Sequence, residues 1–117
     1  MNPAYDAGTG KGVTIDNGTL RIRTIDNANA YIEDNNLFES GELYKIVAVV
    51  SDATAGYLYF RGGSVYVTNQ ASTVGTHIIY LKSNGSSFII NKNDTTVDIS
   101  ISSLSVKKVT SNTGVLL

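Results

Sequence analysis

Clusters of Asn, Asp and Gly interrupt this chain at short intervals: DNG at 16–18, DNAN at 26–29, SG at 40–41, RGG at 61–63, SNG at 83–85 and NKND at 91–94. These residues accept positive φ or bond back onto their own backbone, so each cluster marks a chain reversal. The segments between them are short and rich in Val, Ile, Thr and Tyr, side chains that suit a pleated, half-buried surface. No window sustains the three-and-four apolar spacing of an amphipathic helix. The chain is therefore expected to be all-β, with strands at 13–16, 19–24, 30–37, 43–50, 57–61, 64–68, 76–82, 87–91 and 97–109, the last in one or two pieces. About eight strands in a chain of this size fit a β-sandwich of two antiparallel sheets.

Alternation within the segments assigns their faces. In TLRIRT, Leu20 and Ile22 alternate with Arg21 and Arg23, which marks a strand with one wet face. LYKIVAVV is apolar at nearly every position except Lys45 and is expected to be an interior strand covered on both faces. The last segment slips phase: Val97, Ile99 and Ile101 are apolar at odd positions, Leu104 and Val106 at even ones. One extra residue restores the inward face, so a bulge or a break is predicted at Ser102-Ser103. With RGG closing a hairpin, Leu58, Phe60, Val65 and Val67 face the core, and Tyr57, Tyr59 and Tyr66 form a stripe on the outside.

The chain of 117 residues suits one domain, here 13–109, with arms at 1–12 and 110–117 that carry no clear pattern. Nine basic and ten acidic residues are scattered along it, so there is no basic stripe for phosphates or for an anionic membrane surface. Nucleic acid and membrane are not expected partners. The absence of cysteine excludes disulfides, thiolate metal sites and thiol catalysis. The opening MNPAYDAGTGKG has neither the basic nor the apolar region of a secretion signal, so a protein of this sequence that leaves its cell is expected to do so by another route, such as lysis.

No residue set reads as catalytic or metal-binding, and no cofactor is expected. His77 is the single histidine and sits in a strand pattern beside Ile78, away from any loop nucleophile. Asp16, Asp26, Asp52 and Asp94 occupy turn contexts where the side chain caps its own backbone. Glu33, Asp34, Glu39 and Glu42 cluster as residues that keep a strand edge wet. GTGKG at 8–12 lacks the hydroxyl residue and the helix that follow the Lys of a phosphate loop, and RGG occurs once. What stands out is the tyrosine set Tyr57, Tyr59 and Tyr66, with Tyr80 as a further member. Three uses are open for it: cover for the fold itself, contact with another protein, or a platform for a glycan ring.

The order of motifs resembles phage-encoded jelly-roll domains of the carbohydrate-binding-module type. NPAYDAGTGKGVTIDNGTLRI is similar to their opening, ESGELYKIVAVVSDATAGYLYFRGG to their central strand and glycine-rich hairpin, and ISSLSVKKV to their closing strand, which together span 2–109. Two departures matter. The Trp usual after Gly-Thr-Gly is replaced by Lys11-Gly12, and the Asp-Asn pair that helps hold a structural calcium in sugar-binding relatives is Ser102-Ser103. A neutral hydroxyl is a poor ligand for Ca²⁺. The resemblance implies a jelly-roll sandwich and a non-enzymatic virion structural protein, made in the host cytoplasm and carried on the phage particle. A capsid decoration or cement protein on the outside of the shell is the expected role, with the major capsid protein or other virion proteins as partners. The alternative is a carbohydrate-binding module of a tail or head fibre, adhering to host-surface glycans. Tyr5, Val115, Leu116 and Leu117 are then expected to act in docking arms, and the apolar tail is compatible with a homo-oligomer.

Overall fold

A computed structural model of the protein describes residues 12–16, 18–25, 30–93 and 96–109. The described residues form an all-β sandwich of nine strands: β1 (Gly12–Asp16), β2 (Thr19–Thr24), β3 (Tyr31–Asp34), β4 (Leu43–Ala55), β5 (Leu58–Gly62), β6 (Val65–Gln70), β7 (Gly75–Lys82), β8 (Phe88–Lys92) and β9 (Val97–Lys108). Five form one antiparallel sheet in the order β1-β2-β9-β4-β7, and four form the other in the order β3-β8-β5-β6. The sheets face each other across one apolar core. Ile22, Ile46, Ile79 and Ile99 come from the first, and Leu58, Phe60, Phe88 and Ile90 from the second. Phe60 is fully buried, and withdrawing a side chain of this kind from water contributes about 2–3 kcal/mol.

The alternation of TLRIRT gives β2 the expected inward Ile22. Its outward arginines are not simply solvated: Arg21 holds Asp98 through two hydrogen bonds of 2.8 and 2.7 Å, and Arg23 Nε lies 3.6 Å from the same carboxylate. Asp98 thus ties β9 to β2 on the outer face.

The slip in the last segment is resolved by a bulge in an unbroken strand. Val49 pairs with Ser103 and Val50 with Ile101, so Ser102 is the extra residue, and its hydroxyl donates to Val49 O at 3.3 Å.

Among the boundaries that differ from expectation, three bear on the architecture. β3 stops at Asp34 because its carboxylate accepts the Asn36 N–H at 3.0 Å and turns the chain. β4 continues through the polar SDATA segment to Ala55, kept in register with β9 by irregularities at Val50/Asp52 and Ala53/Ala55. Gly12, assigned to the N-terminal arm, pairs with Arg23 in β1. β4 is interior, flanked by β9 and β7, yet its outward Lys45, Val47 and Val49 are only half-buried, since no layer of the described residues covers that face. Residues 1–11 and 110–117, the rest of the expected arms, lie outside the described residues.

RGG does close a hairpin. Gly62 pairs with Val65, and Gly63 takes φ +60°, a conformation that costs a side-chain-bearing residue roughly 1–2 kcal/mol. The turn is clamped onto the loop between β7 and β8: Ser64 N donates to Asn84 Oδ1 at 2.8 Å and Asn84 Nδ2 donates to Ser64 Oγ at 2.8 Å. A Cβ at Gly63 would also collide with Asn84 Oδ1 and approach Gly85 N at 2.6 Å.

Two stability changes are expected. Gly63→Ala destabilises by about 2 kcal/mol or more, from the positive φ and the clash together, seen as a lowered urea midpoint. Thr24 is fully buried and its Oγ1 has no hydrogen-bond partner among the described residues. Thr24→Val, of nearly the same shape, removes that unsatisfied hydroxyl and raises stability by about 1 kcal/mol in the same titration.

Candidate functional site

The outer face of the four-stranded sheet is built by the alternation of β5 and the register of its neighbours. Leu58, Phe60 and Gly62 are buried, which turns Tyr57, Tyr59 and Arg61 outward. On β6, Val65 and Val67 pack against the core and Tyr66 points out, 50% exposed. Register then aligns residues across strands: Arg61 lies opposite Tyr66 on one side and Ile89 on the other, and Tyr59 lies opposite Asn91, which in turn faces Tyr31.

The rings of Tyr59 and Tyr66 sit 5.3 Å apart at 49°, and the Arg61 guanidinium carbon lies 5.0 Å from the centre of the Tyr66 ring. That spacing gives both an aromatic contact and a cation–π contact. Arg61 is held in place because its Nε donates to Gly63 O at 2.6 Å. Asn91 is fixed twice, donating through Nδ2 to Tyr59 Oη at 3.0 Å and accepting the Lys92 N–H at 2.7 Å. Ile89 faces outward and stays out of the core cluster, yet it is only 8% exposed, with Arg61 and Glu33 opposite it on the flanking strands. The face is thus an apolar floor under a rigid frame of tyrosines, Arg61 and Asn91.

Tyr57, 41% exposed, continues this face beside Tyr59. Tyr80 does not join it. It lies on β7 opposite Lys45 and points outward from the five-stranded sheet, together with the exposed Ile78. The sequence pattern shows which face of its own strand Tyr80 takes, but not which sheet that strand enters. Tyr5, Val115, Leu116 and Leu117 lie outside the described residues. Arg61, Ile89, Asn91 and Tyr31 escaped sequence reasoning. Asn91 looked like a turn residue within NKND, and only the β5–β8 register brings it to Tyr59.

His77 sits on β7 with Nε2 2.6 Å from Thr73 O. Among the carboxylates, Asp34 caps a turn, Asp98 clamps two arginines and Glu39 pairs with Lys108 at 3.3 Å. Glu39 raises the pKa of Lys108, by its hydrogen bond first and its charge second. Among the described residues, no group of three or more His, Asp or Glu is placed to hold a metal ion.

Tyr59→Phe is expected to cost about 1 kcal/mol, because the part-buried Asn91 Nδ2 loses its acceptor. Tyr66→Phe, whose ring contacts survive the change, is expected to leave the guanidinium midpoint within experimental error. Comparison of the chain with protein-family models, with curated proteins and with solved structures returned no match.

Proposed function

We propose that this protein is a non-enzymatic structural protein of a phage virion, a jelly-roll decoration protein that docks on the outside of the shell through the tyrosine face. The observation that carries the docking role is the state of the polar groups on that face. Tyr59 Oη, Arg61 Nε and Asn91 Oδ1 each have a partner within the protein, while the Tyr57 and Tyr66 rings are 41% and 50% exposed. Sugar recognition relies on polar groups free to meet the ligand's hydroxyls around a stacking ring. A rigid face that offers aromatic area with these polar atoms already engaged suits a protein surface better.

Further support comes from the rest of the sandwich. Every connection from β2 to β9 except the β5–β6 hairpin passes from one sheet to the other, an order in keeping with a jelly roll. The exposed Ile78 and Tyr80 lie on the opposite side of the molecule from Tyr57 and Tyr66, which suits a component with neighbours on two sides. His77 and the carboxylates described above are engaged in holding strands and turns, in keeping with a role without catalysis.

The test is binding of the purified protein to shells of the encoding phage from which it has been stripped, alongside a panel of bacterial surface polysaccharides. The expected result is saturable binding to shells at fixed stoichiometry, weakened at least about tenfold by Tyr57→Ala with Tyr66→Ala, in a variant that keeps its circular dichroism spectrum. Saturable polysaccharide binding lost in the same variant would replace the shell by a glycan, for which the exposed rings are the favouring feature.

A further inference from the structure

β9 is covered on its β2 side for only part of its length. β2 pairs with it from Val97 to Ile101, and past the bulge at Ser102 the described residues supply 102–108 with a partner on the β4 side alone. The other side of 102–108 is a row of backbone donors and acceptors with no strand beside it among the described residues, and Ser102, Ser103, Leu104, Lys107 and Lys108 are exposed. A strand edge in this state is a template for another strand.

We propose that this edge is a self-association site, at which 102–108 of one copy pairs antiparallel with 102–108 of a second copy about a two-fold axis at Ser105. The two five-stranded sheets then join into one continuous sheet. The site lies on the sheet opposite the tyrosine face, so it goes beyond the docking role and holds whatever partner that face takes.

The edge is complementary to itself, as an isologous contact requires. Centred on Ser105, the pairing sets Leu104 against Val106 of the second copy on the core side and Ser103 against Lys107 on the outer side. Ser103 and Ser105 are small, and 102–106 contains neither proline nor charge, so nothing there holds a second backbone away. The bulge that ends pairing with β2 sits at the start of the open stretch, outside its centre.

Charge and shape agree with the antiparallel sense. Beside the Ser103 end lies an apolar cleft of about 340 Å³, floored by Leu20, Ile32, Phe88 and Ile101 and rimmed by Glu33 and Asp34. Antiparallel pairing sets Lys107 of one copy against Ser103 of the other, where a parallel arrangement would set lysines beside lysines. It also brings Val106 of the second copy against Leu104, which is 37% exposed at the mouth of the cleft.

Sedimentation equilibrium of the full chain tests the proposal. The wild type is expected to dimerise reversibly. Ser105→Asp alone and Ser105→Lys alone each set like charges opposite one another across the axis and weaken the dimer by about tenfold. An equimolar mixture of the two is expected to recover a heterodimer, since opposite charges then meet. Should either variant fail to fold, Leu104→Lys, at an exposed position, sets a charge against Val106 of the second copy and is expected to weaken the dimer in its place. A wild type that stays monomeric while its 102–108 amides are protected from hydrogen exchange would put another segment on the edge and overturn the proposal. A monomer with unprotected amides, or a dimer indifferent to these changes and without charge rescue, would overturn it as well.

Discussion

The pairing of β9 with β4 is the contact on which the sandwich depends. β9 is the strand through which β1 and β2 join the rest of their sheet, and β4 is the strand through which β7 joins. Both are long, 12 and 13 residues, and two twisted strands of that length do not keep perfect register. The pair absorbs the mismatch in single-residue steps, with Ser102 extra on β9 and Ser51 and Thr54 extra on β4. Each step re-aims the alternation. Without the step at Ser102, either Ile99 and Ile101 or Leu104 and Val106 would face water, because a one-residue shift exchanges every side chain between faces. Ser suits the extra position, being small and able to return its hydroxyl to the Val49 carbonyl.

From that pairing follow the two outer surfaces, which differ in character. The outer face of the five-stranded sheet carries the Arg21, Arg23 and Asp98 clamp at one side and Ile78 with Tyr80 at the other. The four-stranded sheet carries a compact aromatic face whose members hold one another: Tyr59 is fixed by Asn91, and Tyr66 is flanked by Tyr59 and Arg61. Side chains held in this way lose little freedom when a partner arrives, so less of the contact energy is lost to ordering. The interlocked turns at Ser64 and Asn84 fix the end of β5 from which Arg61 projects.

Much of the fold was legible beforehand, and the particular residues show why. β2 was located to the residue because Leu20 and Ile22 alternate with charge, and the bulge at Ser102 was visible because the apolar phase changes once, between two serines. The overrun of β4 into SDATA was not legible, since a polar segment with no apolar phase reads as loop. It is a strand only because β9 continues alongside it. Among the site residues, Tyr57, Tyr59 and Tyr66 were placed correctly on an outward face by alternation within one hairpin. Tyr80 also faces outward but from the other sheet, because alternation says nothing about which sheet a strand enters.

The sequence by itself determined the all-β class, the number and positions of most strands, and which side chains of each strand point inward. Those properties are local, set by turn residues and by a period of two along the backbone. Only the tertiary structure decided which strands are neighbours, and with that the company each side chain keeps: Asn91 beside Tyr59, Asp98 between two arginines, Gly63 against Asn84, and a stretch of β9 with no neighbour on its β2 side among the described residues. Strand order and register arise from contacts between residues far apart in the chain, for which no local pattern carries a signal.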